Sequence, residues 1–254
     1  MSADIFLLVL TAAFFHAFWN FTARKVAGDV VVLWLALLSG CFLLFPAVCI
    51  VVGHHGIQGS FPSPAAPYVI ATGIIHALYF VLLGRAYEKG EISLVYPVAR
   101  GTGIGLAALL APLLLRESLS LGGVSGIVMV LSGILFMAFR RQDRPAPDAG
   151  YLLALGTGVS IAAYSLVDKT GVGIMNPVIY LWLMGFMAAL LLLPFILKYK
   201  KGLIWKTIRS FPGAVLTIGA GSMGAYLMIL YAFRSAPVSY VMAAREFAVV
   251  IGAA

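Results

Sequence analysis

Charge is what this 254-residue chain has least of. Asp, Glu, Lys and Arg make up 10% of it, hydrophobic residues 62%, and the mean hydropathy is +1.04. A typical soluble domain is about 25% charged. There is too little polar surface here to cover a globule in water, which excludes a soluble protein and points to an integral membrane protein. Cysteine is also scarce. Cys41 and Cys49 fall in one apolar run, about 12 Å apart along a helix and too far for a disulfide, so they read as apolar filling. No spacing of His, Cys, Asp and Glu suits a metal, and no nucleotide-binding or haem motif is present. No cofactor is expected, and any energy coupling would come from an ion gradient or from the substrate's own gradient. Strands of alternating polarity are missing as well, which excludes a barrel.

What is present is a series of apolar runs, at about 5–22, 30–52, 67–87, 92–115, 119–139, 150–167, 177–197, 212–233 and 238–254. About 20 residues suffice to span a bilayer as a helix, so an all-α membrane protein is expected. The first run lacks a basic leader and a small-residue cleavage site, so it reads as a mature helix rather than a signal peptide. Basic residues outnumber acidic ones, 17 to 9, which raises nucleic acid as a partner, but their placement argues against it. Twelve of them (24, 25, 85, 89, 140, 141, 144, 198, 200, 201, 206 and 209) follow runs 1, 3, 5 and 7, while Arg116, Lys169 and Arg234 lie at the other ends. The positive-inside rule then puts the first set in the cytoplasm and the N-terminus outside, in a cytoplasmic membrane. "KYKKGLIWKTIRSF" (198–211) mixes bases with Leu203, Ile204 and Trp205 and is expected to lie on the anionic inner leaflet.

The chain also repeats at an offset of about 145 residues. "RAYEKGEISLV" (85–95) aligns with "YAFRSAPVSYV" (231–241), "PVARG" with "AAREF", and "FWNFTARK" (18–25) with "AYSLVDKT" (163–170). These pairings set Arg100 against Arg245, Trp19 against Tyr164 and Asn20 against Ser165. The charged, proline-containing segment 141–149 divides residues 1–140 from 150–254. Five helices precede it, and five is odd, so the second half enters the membrane the other way up. The expected fold is an inverted repeat of two five-helix halves, ten helices in all. The counterpart of helix 5 would fall at about 264–285, so helix 10 is expected to be absent here and the chain to stop within helix 9.

With "HAFWN" in helix 1, "HALYFVLLGRAYEKGEISLVYPVARGTG" across helices 3 and 4, "LLLRESLS" before helix 5 and "AAREFAVVIGAA" in helix 9, the whole chain resembles the drug/metabolite transporter superfamily. More narrowly, it resembles the EamA-type branch that includes membrane proteins associated with phosphonate utilisation. The resemblance implies a cytoplasmic-membrane carrier whose halves enclose a central cavity for small metabolites. Two features depart from it: helix 10 is missing, and many relatives are described with both termini cytoplasmic.

The apolar run holding "PVARGTG" places Arg100 roughly 12 Å from Ile92, near the middle of a ~30 Å hydrocarbon layer. A central arginine costs about 2.5–3.5 kcal/mol on insertion scales, so Arg100 and Arg245 should face the bundle interior. There the two guanidinium forks suit an anionic or zwitterionic substrate. The competing reading is structural, with each arginine held by helix carbonyls or by Glu246, which could also neutralise Arg100 or carry a coupling proton. His16, Trp19 and Asn20 share one face of helix 1 by their i, i+3, i+4 spacing. His76 and Tyr79 share one face of helix 3, and Tyr96, Tyr164 and Ser165 complete a candidate lining. For His16 and His76 a packing role competes with substrate or proton handling. Asp168 and Lys169 are expected to form a solvated pair. Pro97 is expected to loosen helix 4, and Gly101 with Gly105, and Gly122 with Gly126, to allow close helix contact.

These readings converge on a secondary transporter, not an enzyme. An exporter of drugs or amino acids without anion preference is the alternative. An intramembrane protease built on "GVSG" with Ser125 and His76, and a membrane scaffold, are weaker ones. The expected partners are a small-molecule substrate, the lipid bilayer and a coupling proton, with a homodimer left open.

Overall fold

The structure is a computed structural model and describes residues 1–26, 30–140 and 148–248. Residues 141–147 of the dividing segment 141–149, and the terminal 249–254, where the chain was expected to stop within helix 9, lie outside the described residues; the last two residues of the segment open α6.

Among the described residues the chain is all helical. Its elements are α1 (Ala3–Lys25), α2 (Val30–Ser60), α3 (Ala66–Lys89), α4 (Ile92–Leu114), α5 (Leu121–Arg140), α6 (Asp148–Ile174), α7 (Pro177–Tyr199), α8 (Lys201–Ser210), α9 (Pro212–Ser235) and α10 (Val238–Arg245), with a 3₁₀ turn at Ser63–Ala65. Nine of these match the nine apolar runs, and the tenth, α8, is the basic "KGLIWKTIRS" segment. Seven of them (α1 to α4, α6, α7 and α9) are long and apolar enough to cross a membrane, so this is a multi-pass membrane protein.

Proline and short polar residues set the starts. Pro177 and Pro212 each open a helix, where the missing N–H costs nothing. Asn176 caps α7 by accepting from the Val178 N–H at 2.9 Å. Gly56, inside α2, has φ 68° and ψ 170°, a conformation that favours glycine, and the helix turns aside there.

The surface is apolar and the interior holds the charge. Phe42, Leu109, Leu113, Leu121 and Met129 are each at least two-thirds exposed, whereas Arg100, Arg245, Glu246, Asp168 and His76 are all buried. Lipid supplies the outer packing in such a distribution. Helix α6 lies between α3 and α4, α9 lies between α1 and α2, and α7 rests on α2 and α3.

Close helix approach occurs at other glycines than the expected ones. A Cβ on Gly103 would come within 2.7 Å of Ile161, and one on Gly219 within 2.5 Å of the Ala36 carbonyl, whereas Gly105, Gly122 and Gly126 have nothing within 4 Å. Spacing by four places glycines on one face but does not say whether a neighbour covers it. Helix α4 continues through Pro97 as regular helix. In α8, Trp205 is exposed with the Arg209 guanidinium 4.9 Å from its ring, while Leu203 and Ile204 pack against the core. That is the amphipathic form expected of an interfacial helix.

One end of the bundle carries a polar clasp. In the α4–α5 connection Arg116 adopts φ 55°, uncommon for a residue with a Cβ. The next residue, Glu117, accepts from the Val238 N–H with both carboxylate oxygens, at 2.9 and 3.0 Å, and so caps α10. Lys169, near the end of α6, donates to the carbonyls of Phe233 and Ala236 at the end of α9 and lies 3.9 Å from Glu117. This corrects the expectation of a solvated Asp168–Lys169 pair: Lys169 is drawn to the unsatisfied carbonyls of α9, and Asp168 turns inward. Replacing Glu117 by Ala should lower stability by about 1–2 kcal/mol. Glu117→Gln, which keeps one acceptor, should lose less. Thermal unfolding in nanodiscs is the measurement, and equal losses in the two variants would rule out the capping role.

Candidate functional site

A cavity of about 110 Å³ opens between α1, α2, α3, α6, α7, α9 and α10. That is room for several waters or one small ligand. Of the residues anticipated for a binding site, His16, Trp19, His76, Tyr79, Tyr164 and Arg245 line it, joined by Tyr226, Ser222 and Met223. The rings form a connected group. His76 stacks on Tyr164 at 4.2 Å between centroids, and Tyr226 meets both edge-on at 5.7 and 6.0 Å. Tyr79 meets Tyr164 at 5.8 Å, and His16 meets Trp19 at 5.0 Å. The Trp19 indole N–H is buried without a hydrogen-bond partner among the described residues, an unsatisfied donor in a residue that lines the cavity.

The remaining anticipated residues lie elsewhere. Asn20 donates to the His16 carbonyl at 2.7 Å and Ser165 to the Ile161 carbonyl at 2.7 Å, so both turn back on their own helices. Tyr96 lies beside Arg100, its ring centroid 5.9 Å from the guanidinium carbon. Arg100 forms a buried fork-to-fork pair with Glu246, one arm running from Nε to Oε2 at 3.2 Å and the other from Nη2 to Oε1.

Arg100 and Arg245, which the sequence offset was expected to make equivalent, therefore have different surroundings. Arg100 is matched by the residue that follows Arg245 in sequence. Arg245 has no carboxylate within salt-bridge distance among the described residues, and its guanidinium carbon lies 5.8 Å from the centroid of the Tyr226 ring.

At the hydroxyl of that ring is a group that sequence reasoning missed. Asp168 is fully buried and accepts from the hydroxyls of Tyr180, at 2.9 Å, and Tyr226. The Thr72 carbonyl lies 2.9 Å from His76 Nδ1 and the Thr72 hydroxyl 3.0 Å. A carbonyl can only accept, so Nδ1 carries the proton and Nε2 is the free acceptor of His76. A signal for Asp168 was available: it lies four residues after Tyr164 and so shares its helix face. Ser125, proposed with His76 as a protease pair, is exposed and donates to the Gly122 carbonyl at 2.9 Å, while His76 is engaged by Thr72.

No family model matches the chain, and no curated protein matches it. Among solved structures, one described as "Crystal structure of protein" is similar, with a TM-score of 0.74 at 19% identity, over 99% of this chain and 86% of that one. At that identity the likeness speaks to the fold alone.

The Arg100–Glu246 pair makes a clear energetic prediction. Removing one member of a buried pair strands the other charge and typically costs 3–5 kcal/mol. Arg100→Ala should therefore unfold at markedly lower temperature than the parent, and adding Glu246→Gln to it should recover most of the loss. A double variant no more stable than Arg100→Ala alone would show that the pair does not hold the bundle together.

Proposed function

We propose that this protein is a secondary transporter of a small anionic or zwitterionic metabolite across the cytoplasmic membrane, of the EamA type within the drug/metabolite transporter superfamily. The observation that carries the reading is Arg245, a buried guanidinium that lines the cavity without a carboxylate partner among the described residues. A charge left unmatched at membrane depth is a substrate-site hypothesis by default. A planar fork of donors suits carboxylate, phosphate or phosphonate oxygens. Trp19 adds a free N–H donor and Ser222 a hydroxyl to the same lining.

The expected inverted repeat would support the transport reading, and part of the packing is consistent with it. Under exchange of α1 with α6, α2 with α7 and α3 with α9, α1 on α9 corresponds to α6 on α3 and α2 on α9 to α7 on α3, whereas the extensive α4–α6 packing has only a slight counterpart in α1–α10. Gly40 with Gly185, and Gly73 with Gly219, stand at the repeat offset of about 145 residues, and all four are close-approach positions between helices. Inverted-repeat carriers bind substrate between their halves near the midplane, which is where Arg100 and Arg245 are expected.

An exporter of organic cations would use the aromatic lining instead. Cation–π contacts are worth about 0.5–2 kcal/mol. Repulsion between a cationic ligand and Arg245 at ~6 Å is about 3 kcal/mol at an effective dielectric of ~20. Repulsion exceeds the aromatic gain, so the anion reading stands ahead.

Uptake into proteoliposomes by the reconstituted protein, screened against phosphonates, amino acids and organic cations, tests it. Arg245→Lys keeps the charge but loses the fork, and should cut transport of the accepted anion about tenfold or more at normal abundance. Transport restricted to organic cations, or unaffected by Arg245→Lys, would refute the proposal.

A further inference from the structure

We propose that Asp168 is the proton site of this carrier, and that a proton on Asp168 and an anion at Arg245 bind cooperatively, with Tyr226 as the physical link. The inference rests on the reading of the Arg245 cavity as an anion site.

The geometry supplies each part. Asp168 is fully buried, and Tyr180 on α7 and Tyr226 on α9 donate to its two oxygens. His76 on α3 meets the Tyr226 ring edge-on, with ring centroids 5.7 Å apart. Of the charged groups nearby, Lys169 on the same helix is committed to the carbonyls of α9 and to Glu117, and Arg100 on α4 to Glu246. Tyr226 touches both Asp168 and Arg245: its hydroxyl donates to Asp168, and its ring centroid lies 5.8 Å from the Arg245 guanidinium carbon. Among the described residues the buried charged side chains are Arg100, Arg245, Glu246 and Asp168, and with Asp168 ionised their charges sum to zero although only Arg100 and Glu246 are paired directly.

Protonation changes that balance. A proton added to one Asp168 oxygen turns it from acceptor to donor, so the hydroxyl facing that oxygen loses its acceptor and must rotate or accept instead. The buried charges then sum to +1, and an anion in the cavity restores neutrality. By linkage, the anion must raise the affinity for the proton by the same factor. Two cavity-lining side chains lie on the way to the carboxylate: His76, and Tyr226, whose ring His76 meets at 5.7 Å and whose hydroxyl donates to Asp168.

Infrared difference spectra of the protein in proteoliposomes, recorded from about pH 5 to about pH 9, test the site without a substrate. The carbonyl-stretch band of a protonated carboxyl should titrate in the parent and in Glu246→Gln, and be absent in Asp168→Asn. Tyr226→Phe keeps the ring beneath Arg245 and removes one donor, so it should move the midpoint about tenfold in proton concentration even if Asp168→Asn does not fold. No titrating band, a band that persists in Asp168→Asn, or a band that responds to sodium and not to pH would overturn the proposal. Cooperativity is read with methylphosphonate as probe. Its binding, detected as a thermal shift lost in Arg245→Lys, tests the anion site by itself. Proton uptake on adding it at constant pH should occur in the parent and vanish in Asp168→Asn. Binding without proton uptake would overturn the coupling and leave the anion site standing.

Discussion

The rest of the structure depends on how buried charge is matched in a medium that cannot solvate it. Water at a protein surface would tolerate Arg100, Arg245, Glu246 and Asp168 at little cost, but in the membrane interior each needs a partner or a purpose. The chain answers with one direct pair, Arg100 with Glu246, which joins α4 to the end of α10, and it leaves Arg245 and Asp168 apart, with Tyr226 touching both. The two arginines are thus used differently: Arg100 is committed to a pair within the bundle, and Arg245 lines the cavity.

That division depends on the halves not being identical. Trp19 and Tyr164 occupy matching positions in the repeat and both line the cavity. The position matching Asp168 in the first half is Ala23, and the position matching Tyr180 is Leu35. The carboxylate network therefore exists once, on the α6 side, and the same is true of Glu246, whose counterpart is Gly101. The residues that give the cavity and its surroundings their chemistry thus differ between the two halves of the sequence.

Much of the fold was legible because the bilayer simplifies the code. The first eight apolar runs became helices, the described part of the ninth opens with α10 (Val238–Arg245), and the basic segment 198–211 formed a surface helix as its mixed composition implied. The cavity residues on α1 and α3 followed from helical spacing within single runs. What periodicity could not show was pairing between runs. It gave Gly105, Gly122 and Gly126 a shared-face role, though each faces open space, and it passed over Gly103 and Gly219, each of which meets another helix closely. Asp168 was misread for a related reason. Its position six residues before the end of α6 suggested solvent, but the tyrosines that enclose it come from α7 and α9, and only the packing brings them together.

The clasp at the α4–α5 and α9–α10 connections completes the same logic at the bundle's end. Helix termini leave carbonyls and amides unsatisfied, and at membrane depth these are as demanding as charges. Lys169 satisfies the carbonyls ending α9, and Glu117 satisfies the amide opening α10. Lys169 adjoins Asp168 in sequence, so one turn of α6 carries both a member of the clasp and the buried carboxylate that accepts from Tyr180 and Tyr226. Tyr226 also lines the cavity, so the clasp and the cavity lining meet at two adjacent residues of one helix.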